Sequence, residues 1–319
     1  MISLGLDTSN YTTSAALYNS DTGVLVQKKQ LLPVKEGTLG LRQSDAVFHH
    51  TRQLPAMVEA LVAAAGEQGD FAPLSAVGAS TRPCETEGSY MPCFLVGDGV
   101  ARSISAINGC PLFTFSHQQG HVAAAAFGAG RLDLLDKPFL AFHVSGGTTE
   151  VLRVSPGEDT IPHCEKIGGS LDLKAGQLID RVGGMLGLPF PAGPALEQLA
   201  LSAPELKKAE RPHIKTEEDG CHLSGVENQC KKLLDDGKGP GFVARYCLYA
   251  VYLAVKSLTA AALEKTGALP VLYAGGVMSN SLLRKQLKED FGGIFAPPEY
   301  SSDNACGVAV LTARAFENQ

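Results

Sequence analysis

Pro138-Phe139-Leu140-Ala141-Phe142-His143-Val144-Ser145-Gly146-Gly147-Thr148-Thr149-Glu150-Val151-Leu152-Arg153-Val154 is the stretch that decides how this chain folds. Its first seven residues are an apolar run that predicts a buried strand, 145–149 a small polar turn, and 150–154 the returning strand. The same plan opens the chain. Met1 to Asp7 alternates as a strand, Asp7-Thr8-Ser9-Asn10-Tyr11-Thr12-Thr13-Ser14 is a hydroxyl-rich turn, Ala15 to Tyr18 a second strand, and Gly23 to Gln27 a third. One such hairpin is a plain connection. Two, each followed by helices and further strands, predict a duplicated α/β unit with a ligand in the cleft between the halves. The expected division is an N-terminal lobe at 1–133, a C-terminal lobe at 134–302, and a last helix within 303–319 packing back on the first lobe.

Both turns suit an anion. A hydroxyl-rich turn exposes several backbone N–H groups, and Gly146 and Gly147 let a phosphate approach the main chain closely. A third turn of this kind, Ala274-Gly275-Gly276-Val277-Met278-Ser279-Asn280, follows the strand predicted at Pro270 to Tyr273. Between the hairpins, Leu54, Met57, Val58, Leu61 and Val62 recur at helical spacing within 51–65, and Ser75 to Ser80 reads as a strand. Residues 81–93 read as a polar loop and Phe94 to Ile107 as a helix. After the second hairpin, Leu171 to Leu186 reads as a helix, Gly187 to Pro194 as a rigid loop, 205–240 as a charged, solvated face that is also the best local candidate for an RNA-facing insert, and Phe242 to Lys265 as a long central helix. Tyr300 to Asn304 would cap a last helix over Ala305 to Phe316.

The strand Pro111 to Phe115 runs into Ser116-His117-Gln118-Gln119-Gly120-His121 and an alanine run. Ser116 can cap a helix that carries His117 and His121 four residues apart, one turn up the same face. Two neutral imidazoles so placed can share one metal ion when the fold adds a carboxylate or water; two ordinary helix-start histidines are the plainer reading. A zinc peptidase is set aside, because the general-base glutamate beside the first histidine is replaced by Gln118.

Composition bounds the rest. A chain of 319 residues exceeds what one core serves. With 45% hydrophobic and 19% charged residues it reads as an ordinary globular protein with no membrane span. The N-terminus has neither a basic region nor a small-residue cleavage site, so the cytoplasm is the expected location. Eight cysteines without a Cys-x-x-Cys pair read as small buried hydrophobes. A net charge of −6 excludes a generally basic nucleic-acid binder.

The duplicated plan is similar to that of sugar kinases, actin and chaperone ATPases: a duplicated, actin-like, sugar-kinase-like (ribonuclease H-like) two-lobe α/β fold, with nucleotide binding expected by analogy. Over essentially its whole length the chain also resembles the tRNA threonylcarbamoyladenosine transferases, formerly labelled O-sialoglycoprotein endopeptidases or glycoproteases. The resemblance rests on Asp7-Thr8-Ser9, His117 with His121, Ser145-Gly146-Gly147, Asp180, Pro191-Ala192-Gly193-Pro194, Ala274-Gly275-Gly276-Val277 with Asn280, and Asp303-Asn304. It implies one iron or zinc ion held by His117, His121 and Asp303. It implies an adenine nucleotide (threonylcarbamoyl-AMP, AMP or ATP) held by Ser145, Gly146, Gly147, Asp180, Gly193 and Asn280, with Asp7, Ser9, Thr148, Gly275 and Gly276 in lesser roles.

The reaction implied is metal-dependent transfer of threonylcarbamoyl from threonylcarbamoyl-AMP to N6 of the adenosine beside the tRNA anticodon. The partners implied are tRNA, a paralogous subunit and a small ATPase. This chain departs from the pattern at Thr148, where bacterial members have a histidine, in the loop Thr81 to Gly88, at Asp172-Leu173, and at Asp7, where a glutamate is usual. A metal-dependent carbamoyltransferase with another acceptor and a non-catalytic nucleotide-binding paralogue are the alternatives these departures leave open.

Overall fold

The computed structural model describes residues 1–9, 11–33, 41–68, 73–157, 160–302 and 305–319. In chain order the elements are β1 (Ile2–Asp7), β2 (Thr12–Asn19), β3 (Leu25–Leu31), α1 (Gln43–Gln68), β4 (Ala76–Arg82), α2 (Phe94–Asn108), β5 (Leu112–Ser116) and α3 (His117–Gly128). They continue with β6 (Phe139–Val144), β7 (Thr149–Pro156), β8 (Pro162–Ser170), α4 (Ala175–Met185), α5 (Gly193–Ser202), β9 (Lys215–Glu217), β10 (Gly220–His222) and α6 (Ser224–Asp235). Last come α7 (Pro240–Thr266), β11 (Val271–Ala274), α8 (Ser281–Phe291), β12 (Ile294–Phe295) and α9 (Cys306–Glu317).

The chain divides into two compact units. One comprises Met1–Lys137, Ser155–Cys164 and Glu299–Gln319, the other Pro138–Val154 and Glu165–Pro298. The first unit thus runs to Lys137 before the chain enters the second, and Ser155–Cys164, the connection from β7 into β8, belongs to the first unit.

In the first unit the strand order is β3-β2-β1-β4-β5, with β1 antiparallel to β2 and parallel to β4. Side chains of a strand alternate between faces, and that parity sorts the unit. Leu4, Leu6, Ala15, Leu17, Val77 and Ala79 pack with Leu54, Met57 and Leu61 of α1 and Ala101 of α2. Ala16 and Tyr18 pack with Ala124 of α3 and with Ala309, Val310 and Ala313 of α9 on the other side. Helix α9 lies flush on that second face, because a Cβ at Gly5 would collide with the α9 backbone at Ala309 and one at Gly78 with Thr312. Asp7 has the parity of Ser3 and Gly5, which directs its side chain to the α3 and α9 face.

In the second unit the order is β12-β11-β6-β7-β8-β10-β9. Its inner run β8-β7-β6-β11-β12 repeats β3-β2-β1-β4-β5: β6 is antiparallel to β7 and parallel to β11, as β1 is to β2 and β4. Helix α7 fills the core, burying Val243, Cys247, Leu248, Val251, Val255 and Leu258. Its most apolar window has a mean hydropathy of 1.4, enough by length and composition to cross a membrane, and 56% of that window is buried within the unit.

Four expectations are corrected. Helix α1 starts at Gln43, not 51, because Ala46 and His50 continue the buried stripe of Leu54, Met57 and Leu61, while Val62 is exposed. Strand β8 was not anticipated: Gly168 and Gly169 weaken its pattern, yet a Cβ at Gly168 would come 2.8 Å from the Asp219 carbonyl, an approach only glycine permits. The helix expected from Leu171 begins at Ala175. The 205–240 stretch is not merely a solvated insert, since it forms β9, β10 and α6 and sends Cys221, Val226 and Cys230 into the core.

Candidate functional sites

The first unit holds a cluster built around Asp7. Ser116 caps α3 by accepting from Gln119 N at 3.1 Å, and Gln119 Oε1 accepts from Ser116 N at 2.7 Å, a reciprocal capping box. This fixes His117 as the first helical residue with His121 one turn on; the two rings meet edge to face, 4.2 Å between centroids. His117 Nδ1 lies 3.1 Å from Asp7 Oδ1. Asp7 is fully buried, and the Ser80 and Ser9 hydroxyls also donate to it, Ser9 at 2.7 Å. Burial pushes its carboxyl up, but the His117 charge and hydrogen bond, together with the two hydroxyls, hold it below the usual range.

An ionised Asp7 accepts from Nδ1–H, so it fixes the His117 tautomer and leaves the lone pair on Nε2. A carboxylate behind a histidine is the second layer that metal-ligating imidazoles have. The donor set of His117 and His121 therefore fits a divalent metal. Among the described residues no three His, Cys, Asp or Glu side chains group as a metal site, and the expected third ligand, Asp303, lies outside them. Ser9, expected in a lesser role at the ligand, donates its hydroxyl to Asp7.

The close approach of α3 to α9 sets where the histidines stand. A Cβ at Gly307 of α9 would overlap the Gly120 carbonyl and come 2.6 Å from Ala124 N, so only glycine lets the two helices touch here.

The second unit holds a cavity of about 400 Å³ lined by Gly146, Gly176, Ile179, Asp180, Pro191, Gly193, Pro194, Glu197, Gly276, Val277, Ser279, Asn280 and Pro298. That volume suits a small ligand. Five expected residues line it together: Gly146, Asp180, Gly193, Gly276 and Asn280. Ser145, Gly147 and Thr148 share the Gly146 turn without lining the cavity. The turn closes through Ser145 N to Thr148 O at 2.7 Å and Thr148 N to Ser145 Oγ at 3.2 Å. The start of α4 is pinned against it by Ala175 N to Thr149 Oγ1 at 2.9 Å and Gly176 N to Ser145 O at 3.2 Å. Gly275, at φ +101°, packs on the Val144 backbone, where no Cβ fits.

Two expected ligand residues have structural duties as well. Asp180 Oδ1 accepts from Ala192 N at 2.9 Å and so holds the 187–194 loop on α4. Asn280 Oδ1 caps α8, accepting from Leu282 N and Leu283 N, both at 3.1 Å, which leaves its amide NH₂ as the donor. Gly176, Ile179, Glu197 and Ser279 escaped the sequence reading. Helical spacing carries the signal for three of them: 176, 179 and 180 share one face of α4, and 193, 194 and 197 one face of α5. Asp172, one of the departures, ties β8 to α6 by accepting from Leu223 N at 2.8 Å and from the Ser224 hydroxyl. Burial opposes its ionisation, yet these bonds hold its carboxyl down to about 2.

Two units of matching strand order, one with a glycine-marked cavity and one with a histidine pair, define an actin-like, sugar-kinase-like enzyme fold. A hexokinase of the ROK type from Thermus thermophilus is similar in structure over 100% of both chains, with a TM-score of 0.51 at 17% identity. Full-length HypF in its phosphate- and nucleotide-bound form aligns over 99% of this chain and 55% of its own, with a TM-score of 0.59 at 14% identity. Residues 34–310 match the family model of TsaD, tRNA N6-adenosine threonylcarbamoyltransferase, and the chain belongs to that family. A relative of that name from Sulfurihydrogenibium sp. (strain YO3AOP1) is 30% identical over 100% of this chain and 92% of its own. Another, from Halalkalibacterium halodurans, is 29% identical over 99% of this chain and 91% of its own.

Proposed function

We propose that this chain transfers a threonylcarbamoyl group from threonylcarbamoyl-AMP to N6 of the adenosine beside the anticodon of a tRNA, releasing AMP. Family membership supports the tRNA-modifying class, and the cavity that gathers Gly146, Asp180, Gly193, Gly276 and Asn280 is the observation that carries the donor reading. The backbone at Gly146 and Gly147, where no side chain stands in the way, is suited to the donor's phosphate. Asp180 and Glu197 are suited to accept from ribose hydroxyls.

The N6 amine attacks the carbamoyl carbon. The bond from that carbon to the phosphate oxygen breaks, AMP leaves with the electron pair, and the amine loses one proton. A mixed anhydride is already activated, so orientation supplies much of the acceleration and no covalent enzyme intermediate is required. His117 and His121, with Asp303, would hold one iron or zinc ion, which when bound supplies a Lewis acid for donor oxygens. Asp7 orients His117 and, with Ser9 and Ser80, keeps its own charge satisfied in the interior. A paralogous subunit, a small ATPase and a cytoplasmic setting complete the proposal.

The test is transfer of labelled threonylcarbamoyl from its adenylate to unmodified tRNA, with the partner proteins present, for the wild type, His117→Ala and Asp180→Ala. Transfer by the wild type that both variants lose supports the reading. A wild type that binds metal and AMP but leaves every tRNA unlabelled refutes it and moves the acceptor elsewhere.

A further inference from the structure

Among the described residues four buried side-chain atoms lack any hydrogen-bond partner: His50 Nε2, Asp98 Oδ1, Ser279 Oγ and Arg314 Nε. Of these residues only Ser279 lines the cavity of the second unit. A buried hydroxyl without a partner has lost its water and gained nothing in return, so such groups are rare unless a ligand completes them. The surroundings of Ser279 are fixed. It ends the short helical turn Gly276–Ser279, Met278 N donates to Gly275 O at 2.9 Å, and Asn280 N to Val277 O at 3.2 Å. The next residue, Asn280, is committed to capping α8. The backbone that carries the hydroxyl is therefore held in place while the hydroxyl itself is unused.

We propose that Ser279 Oγ is a hydrogen-bonding contact for the nucleoside part of the nucleotide in this cavity. The inference rests on the reading of the cavity as an adenine-nucleotide site. Charge selects the nucleoside over the phosphate. Asp180 and Glu197 line the same cavity, and two carboxylates repel an anion while suiting sugar hydroxyls. Ile179, Pro191, Pro194, Val277 and Pro298 supply the apolar wall a base requires. A hydroxyl both donates and accepts, so a change of the Ser279 χ1 rotamer toward the cavity lets it meet a ribose hydroxyl or a ring nitrogen.

The experiment is calorimetric titration of the full chain with adenosine and with AMP, for the wild type and Ser279→Ala, together with thermal unfolding of both proteins without nucleotide. The expected result is adenosine and AMP each weakened about 10-fold, or about 1.4 kcal/mol, by the same factor. The melting temperature without nucleotide stays level or rises, because the substitution removes a hydroxyl that has no partner. Unchanged affinities in the variant overturn the inference while leaving the nucleotide site intact. So does a loss confined to AMP, which would make Ser279 a phosphate contact, or a fall in the ligand-free melting temperature, which would reveal a structural role. A wild type that binds neither compound overturns the nucleotide reading, and this inference with it.

Discussion

His50 is a buried imidazole whose protonation the fold resists, and the cost can be read as a pH dependence of stability. Its Nδ1 lies 2.7 Å from Thr13 Oγ1, which itself donates to Gln53 Oε1 at 2.7 Å, while Gln53 Nε2 donates to Leu31 O at 3.3 Å. The Thr13 proton is thus already used, so Nδ1–H donates to Thr13 and the bare Nε2 is buried without a partner. Burial lowers the His50 pKa from 6.5 to about 4; Asp7 nearby pulls it up and His49 pushes it down. The unfolded chain takes up a proton near 6.5 that the folded chain refuses until about 4, so stability falls as pH falls through that window and levels off below it. Between pH 7 and pH 5 the linkage amounts to about 2 kcal/mol. His50→Gln keeps a side-chain amide to meet Thr13 and has nothing to titrate. Urea unfolding followed by circular dichroism at pH 7 and pH 5 should show the wild type losing about 2 kcal/mol more than the variant. Equal losses in the two proteins would refute the argument, whatever the absolute stabilities.

Three further outcomes follow from the sites. Asp7→Asn removes the charge behind His117 and should weaken metal affinity about 10- to 100-fold in a competition with a coloured chelator; an unchanged affinity would remove Asp7 from any role in orienting the ligand. Gly307→Ala places a methyl group on the Gly120 carbonyl and should cost about 1–3 kcal/mol, read as a lower melting temperature; a wild-type melting curve would show that α3 and α9 can part freely. Gly176→Ala puts a Cβ 2.6 Å from Gly146 N and from Ser145 O, so the turn must move. AMP affinity should fall at least about 10-fold, or about 1.4 kcal/mol, by calorimetry, and undiminished binding would place the phosphate away from this turn.

The repeated hairpins β1-β2 and β6-β7 were legible because strand parity and polar turns are local, whereas the matching orders β3-β2-β1-β4-β5 and β8-β7-β6-β11-β12 depend on parallel pairings between distant strands. The histidine pair was legible because helical spacing alone puts His117 and His121 on one face. Strand β8 and helix α6 were hidden by glycines and charges whose neighbours only the packed sheet and α7 provide.

The order of residues along the chain therefore encodes short-range patterns: which residues alternate, which recur every turn, and which glycines sit at turns. Tertiary structure alone decided that Asp7, 110 residues from His117, stands behind its imidazole, that Asn280 spends its oxygen on a helix cap, and that Ser279 lies buried without a partner. Propensity and periodicity act over a few residues of one chain segment. A hydrogen bond, or the lack of one, depends on which distant segment packing brings alongside, and no local pattern encodes that.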